Sequence, residues 1–454
     1  MTITDGDRST GSIARRATFG SGVAGLFVSV LCLGLCLFDT PARAANDGPT
    51  FDVFYEARLI PSERAMRIGI ELDRRAKLVK EIRLHIDPAR HLGFEGDGTV
   101  TVEGEYVTWV PPVEGGRLGY TFRIDHLRNE RAYDSRCANT WALFRGGDMI
   151  PKIKARFQAG ARSKSRLRFV LPEGWSVAAP YTRLTGGIYR VEHDHRAFDR
   201  PTGWFVLGDL IATREEIAGT RVAVAGPVRH GVRSFDIIAL LNWTMPELNR
   251  IIAHPLDRLL IVSAADPMWR GGLSGPGSLY VHADRPLITS DTTSPLLHEL
   301  VHTSMSARAD AASDWIVEGL AEYYSMQLLA RSGTVRAERI AERIARWADE
   351  GVPPGRLHGG AAAAYGVVFM MKLDEAIREA TSDTRSLDDV IREMTRDRGE
   401  TNLARLKAAV QTATGLDPED VMPAAPPAED EEPPAEDEEP PADAEAAPPP
   451  GSLR

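Results

Sequence analysis

Cysteine is almost absent. The 454 residues hold three, and two of these, Cys32 and Cys36, lie in an apolar N-terminal run, leaving Cys137 alone in the body. A lone thiol closes no internal disulfide, so the body must be stabilised by core burial. Strong charge is missing from the body as well. The net charge is −10, but Pro423–Arg454 holds ten Asp/Glu against one Arg and carries −9 of it. A nearly neutral body has no electrostatic footprint for nucleic acid, which is not expected as a partner. The tail lacks any aliphatic run, and its unit "PPAEDEE" at Pro426–Glu432 recurs at Pro433–Glu439. Such a composition cannot offset its ordering entropy by burial, so residues 423–454 are expected to be a solvated, disordered spacer. No G-x-S-x-G elbow occurs, and Ser274, in a Gly-rich segment, is a weak basis for a serine hydrolase.

What is present begins with an export signal. Arg15-Arg16 precede an uncharged, mostly apolar run from Ala17 to Phe38, followed by Ala42-x-Ala44. That order predicts a signal peptide over 1–44 and a mature start near Ala45. The alternative is an uncleaved anchor over residues 17–38, the one route by which this chain meets a membrane. Both place the body outside the cytosol, periplasmic or extracellular. Neither Cys32 nor Cys36 follows a proper lipobox.

The body is long enough for two domains. From Phe51 to about Gly231, "RAMRIGIEL", "TVTVEGEYVTWV", "GYTFRID", "SRLRFVL" and "TRVAVAG" are short, alternating and separated by turn residues. They predict a β-sandwich-like domain over 46–231. After Ser234 the period becomes helical. "FDIIALLNWTMPELNRIIAH" reads as a helix containing Pro246, "RLLIVSA" as a buried strand, and most of 232–422 as helix. "SLDDVIREMTRD" and "TNLARLKAAVQTATG" open with Ser386 and Thr401 as expected caps.

Within that second part lies "LLHELVHTSMSARADAASDWIVEGLAEYY", Leu296–Tyr324. Ser294 suits an N-cap and Pro295 the first helical position. At about 100° per residue, His298 and His302 lie some 40° apart, opposite Leu296, Leu297, Leu300 and Val301. The imidazoles therefore face a cleft, an arrangement that fits H-E-x-x-H zinc binding with Glu299 as general base. A second helix, from Ser313 or Asp314 to Gly333, places Glu318 and Glu322 on one face, Glu318 sixteen residues after His302. Gly319 inside that helix costs roughly 1 kcal/mol against alanine, which suits backbones approaching closely around a shared ion. His193-Asp194-His195 offers two imidazoles on one strand face but no third ligand; His230, His254, His282 and His358 receive no role.

"HELVH…WIVEGLAEYY" resembles the gluzincins, and most specifically the glycyl aminopeptidase family, with its W-x-x-E-G-x-x-x-Y-Y second helix. "RGGDMIP" at Arg145–Pro151 and "LRFVLPEGW" at Leu167–Trp175 are similar to that family's N-terminal β domain. "RGGLSGPGS" at Arg270–Ser278 sits where it has a Gly-Gly-x-Glu substrate segment, and "AYGVVFMMKLDEAIRE" is similar to its later helix. The resemblance covers about Phe51 to Gly415. It implies a thermolysin-like, mainly helical catalytic domain over 232–422 and an α+β multidomain fold. It implies one Zn2+ held by His298, His302 and Glu318, with Glu299 as base and Glu322 bonded to a ligand imidazole. Tyr365 becomes the oxyanion donor, Gly271, Gly272 and Ser274 substrate-binding residues, and a peptide or protein the substrate. Two departures follow. Ser274 stands where the family has the glutamate that grips a substrate's free amine, so endopeptidase action joins aminopeptidase action as a reading. A catalytically inactive, zinc-containing peptide binder is the third. The family's C-terminal PDZ domain has no counterpart.

Overall fold

A computed structural model describes residues 48–193, 196–350, 360–397 and 399–424. The expected signal segment with its apolar run 17–38, Asp194, His195, His358 and all but the first two residues of the acidic tail lie outside the described residues.

The alternating stretches form strands. In Thr50–Ile60, Phe51, Val53, Tyr55, Ala57 and Leu59 point inward and are buried, whereas Asp52, Glu56 and Arg58 point outward. This strand pairs in parallel with Arg162–Val170 and antiparallel with Ala65–Leu72, at the centre of a seven-stranded sheet. "TVTVEGEYVTWV" splits into Thr99–Glu103 and Tyr106–Val110, two strands of a four-stranded sheet. Gly104 at their turn has φ 56°, a left-handed value that favours glycine. Ile82, Leu84, Val107 and Trp109 of the smaller sheet share one core with Phe51, Tyr55, Ile68 and Ile70 of the larger.

A third sheet separates two cores. Trp141–Arg145 pairs with Trp204–Gly208, and every residue of "WALF" and "WFVLG" is buried. Alternation explains why. Ala142, Phe144, Phe205 and Leu207 enter the core just described; Trp141, Leu143, Trp204 and Val206 enter another with Ala225, Leu260, Val262 and Tyr280.

The fourth sheet carries the helices. Its order is Leu210–Ile217, Thr220–Pro227, Arg258–Ala264, Ser278–His282 and Gly272–Gly275, the last at an edge. Strands do give way to helix near Gly231, but one sheet does not give way to another there. Thr220–Pro227 runs parallel to Arg258–Ala264, and a parallel pair requires a crossover, here the helix Ser234–Ile251. Val222, Val224, Leu259, Ile261, Leu279 and Val281 turn their side chains towards the helical layer. The result is a sheet-rich N-terminal region followed by a mainly helical C-terminal part.

Local signals set the helix starts. Ser294 accepts the Leu297 N–H (3.2 Å) at the start of Pro295–Met305. Ser386 and Asp389 cap Leu387–Met394 reciprocally. Leu403–Thr414 is capped by Asn402, not by Thr401. The Asn402 side chain accepts the Arg405 N–H at 2.9 Å, while the Thr401 N–H is committed to the Arg308 carbonyl. Cys137 is buried, and burial pushes its thiol up to about 12, which keeps it protonated and inert. Among the described residues no helix is long and apolar enough to cross a membrane.

Gly319 does mark a close approach, but its partner is a different helix from the one expected. The helix Asp314–Arg331 crosses Gly360–Thr381 where Gly319 meets Gly366, and a Cβ built on either would lie 2.4 Å from the other's Cα. Because backbone opposes backbone, no side chain can yield. Gly319→Ala or Gly366→Ala is expected to destabilise the fold by about 1–3 kcal/mol despite the better helix propensity of alanine. Urea denaturation measures this, and unchanged midpoints would contradict the crossing.

Candidate metal centre

The helix Pro295–Met305 buries Leu296, Leu297, Leu300 and Val301 completely, which turns His298 and His302 to the other side. The helix Asp314–Arg331 packs beside it and presents Glu318 and Glu322. Its far end is fixed by a polar cluster: Arg331 forks onto both Asp388 oxygens (2.6 and 3.0 Å), and the Tyr324 hydroxyl donates to Asp388 at 3.1 Å. Trp315 is packed edge-on against Tyr365 and Phe369. The glutamates therefore sit on a helix held from two sides.

His298 Nε2 lies 3.0 Å from His302 Nε2 and 3.3 Å from Glu318 Oε2; His302 Nε2 lies 3.3 Å from Glu318 Oε1. A tetrahedral ion with bonds of 2.0–2.1 Å spaces its ligands about 3.3 Å apart. The spacings between the groups are of that order, with each Glu318 oxygen turned to one imidazole, and two imidazoles with one carboxylate are a donor set suited to Zn2+. Among the described residues they form the one cluster of three or more such groups close enough to hold an ion. Glu322 completes the support. His298 Nδ1–H donates to Glu322 Oε2 at 2.9 Å, which fixes the tautomer and leaves Nε2 facing Glu318.

The charges fit the same picture. Burial disfavours a charged His298, but hydrogen bonds to Glu318 and Glu322, with the charges of Glu322 and Glu299, outweigh it and lift its pKa to about 10. Burial acts against an ionised Glu318 too, yet the two imidazoles hold its carboxyl well below the usual carboxylate range. Glu299 differs. Burial raises its pKa, against the pull of both imidazoles and a hydrogen bond from the Ser274 backbone N–H.

Gly272 makes room for Glu299: a Cβ there would lie 2.6 Å from Glu299 Cγ and 3.0 Å from Oε1. Gly271 instead accommodates Trp269, whose ring would stand 2.0 Å from an added Cβ. The Gly271 carbonyl accepts the His282 N–H, so by antiparallel alternation the backbone groups of Gly272 and Ser274 face outward from the sheet edge. Ser274 and His302 both line a cleft of about 700 Å³, whose wall also includes His193, Arg196, Arg308 and Glu400. Tyr365 is placed differently. Its hydroxyl donates to the Ala424 carbonyl at 2.9 Å, and among the described residues no hydrogen bond joins it to the His298–His302–Glu318 triad.

Sequence reasoning assigned no cleft role to His193, Arg196 or Arg308. His193 is held by Thr202 Oγ1 (3.0 Å from Nε2) and Asp199 (3.4 Å from Nδ1), and it reaches the cleft from the N-terminal region. No local pattern announces that; only the packing of distant elements does.

Neither a protein-family profile nor the sequence of a curated protein matches the chain. Solved structures are similar in fold. An aminopeptidase N family protein from Idiomarina loihiensis superposes with a TM-score of 0.63 at 14% identity, over 81% of this chain and 74% of that one. A mutant of an M1 zinc metallopeptidase from Deinococcus radiodurans gives 0.53 at 15% identity, over 84% and 96%. The chain therefore has the fold of M1-type zinc metallopeptidases.

A histidine with a pKa of about 10 is protonated at pH 7, and an ion at Nε2 must displace that proton. Zinc binding to the metal-free protein is expected to release about one proton from His298, with affinity falling about tenfold per pH unit as pH drops. Calorimetry in buffers of different ionisation enthalpy measures the release. His302→Ala and Glu318→Ala are each expected to lose stoichiometric zinc by elemental analysis.

Proposed function

We propose that this chain is an exported zinc-dependent peptidase of the gluzincin type, allied to the glycyl aminopeptidases. The observation that carries the reading is the placement of Glu299. It is a buried carboxylate beside three groups spaced for an ion, pressed against the outward edge of Gly272–Gly275. The apolar run 17–38 behind Arg15-Arg16 supports export. His298, His302 and Glu318 would hold the ion, which would supply Lewis acidity and make water acidic enough to yield its proton near neutral pH.

The remaining roles belong to the chain. A peptide laid along the sheet edge pairs with the outward backbone of Gly272 and with the Ser274 carbonyl, which fixes its scissile carbonyl near Glu299. Glu299 accepts a proton from the attacking water. Its burial favours this role, because a carboxylate with a raised pKa is the stronger base. It then delivers the proton to the leaving nitrogen as the C–N bond breaks. Glu322 holds the His298 ring throughout. Tyr365 takes the oxyanion-donor role once its hydroxyl leaves the Ala424 carbonyl.

Ser274 supports internal cleavage alongside aminopeptidase action, since a hydroxyl offers no charge partner to a substrate's terminal ammonium. Glu299→Gln is expected to lower kcat by at least about a hundredfold while zinc content stays at one per chain. Tyr365→Phe is expected to cost about a hundredfold in kcat with KM little changed. Hydrolysis at the original rate by Glu299→Gln would overturn the reading. Mass spectrometry of products from free and N-acetylated peptides separates the two cleavage modes.

A further inference from the structure

The cleft beside the metal centre is built to receive negative charge. Among the described residues two cations line it: Arg196, whose N–H donates to the His193 carbonyl (3.1 Å), and Arg308, just beyond the helix that carries His302. Among the described residues the one carboxylate in that lining is Glu400. Glu400 and Arg308 are backbone neighbours through a parallel bridge, and the Arg308 carbonyl accepts the Thr401 N–H. That pairing fixes where the Arg308 side chain starts, yet among the described residues the side chain makes no ion pair or hydrogen bond. An arginine on a fixed stem, facing a cleft and answering no carboxylate of its own, is a recognition group for a planar anion. His193, in the same lining, is anchored by Asp199 and Thr202. Ser274, also in the lining, adds a hydroxyl and no charge.

We propose that this cleft selects peptides carrying a carboxylate a short distance from the scissile bond, bound by Arg308. The inference rests on the peptidase reading for its substrate class and goes beyond it in stating which peptides. Two sources supply the same chemistry, an acidic side chain or a free C-terminus. Either lies within a few residues of the bond that is cut, because the cleft runs from His302 to Arg308, six residues further along the chain. Electrostatic attraction of this kind weakens as salt rises.

The test uses the zinc-loaded full chain carrying Glu299→Gln, so that binding is read without turnover. The ligands are alanine pentapeptides with one Glu or one Gln walked through the positions, each as C-terminal acid and amide. Calorimetry is expected to show at least one Glu peptide, or the acid over the amide, binding about tenfold tighter than its neutral counterpart. Adding Arg308→Glu is expected to abolish that difference while leaving zinc content and the neutral peptides' affinity unchanged. A preference confined to Glu over Gln assigns the side chain; one confined to acid over amide assigns the C-terminus. Equal binding of charged and neutral peptides, or a preference that survives Arg308→Glu, overturns the proposal whether or not the unmutated chain hydrolyses them. A preference without hydrolysis by the unmutated chain leaves the anion site standing and removes the peptidase.

Discussion

Everything at this site depends on one electrostatic convergence. A carboxylate from one helix lies 3.3 Å from two imidazole nitrogens of another, with a second carboxylate behind one of the rings. Four polar groups so close together in a largely buried setting are costly unless each has a partner of opposite character. Without an ion the partner is a proton, which His298 retains far above its ordinary range. An ion bound there would take the place of that proton, since the same donors are spaced to hold one.

That convergence needs two rigid helices, and the chain supplies rigidity by different means for each. Pro295–Met305 is anchored by an apolar side of four fully buried residues and by the Ser294 cap. Asp314–Arg331 has no such one-sided pattern, because helices surround it and nearly its whole length is buried. It is located instead by shape and charge: the glycine contact with Gly366 and the clamp of Arg331 and Tyr324 on Asp388. Two glycines inside helices cost about 2 kcal/mol of propensity between them. The close crossing they permit brings Trp315, Tyr365 and Phe369 into edge-on contact, and aromatic pairs of this kind return energy of similar size.

The convergence of His298, His302 and Glu318 was legible in sequence because a helix converts spacing into direction. His298, Glu299 and His302 share one helix, so their relative placement follows from 3.6 residues per turn. Glu318 and Glu322 were legible for the same reason, needing only a turn between two helices. Strands such as "RLLIVSA" and the caps at Ser294 and Ser386 are local too. What stayed hidden is non-local. The sequence does not state that Gly319 meets Gly366, some forty-seven residues away, or that Thr220–Pro227 shares a sheet with strands beyond the first long helix. Thr401 and Asn402 both suit a cap, and the choice fell to Asn402 because the Thr401 N–H was taken by a distant carbonyl.

The cleft is the extreme case of that non-locality. Its described walls come from His193 and Arg196 beyond the strand Ile188–Val191, a sheet edge at Ser274, the end of the motif helix and the segment around Glu400. None of these stretches has a chemical signature by itself, whereas H-E-x-x-H does. The difference has a physical origin: an ion demands fixed donors at fixed distances, so its ligands cluster on few elements, while an extended peptide touches many elements lightly. The donor cluster is therefore concentrated in some twenty-five residues, from His298 to Glu322, while the described cleft lining is dispersed over more than two hundred, from His193 to Glu400.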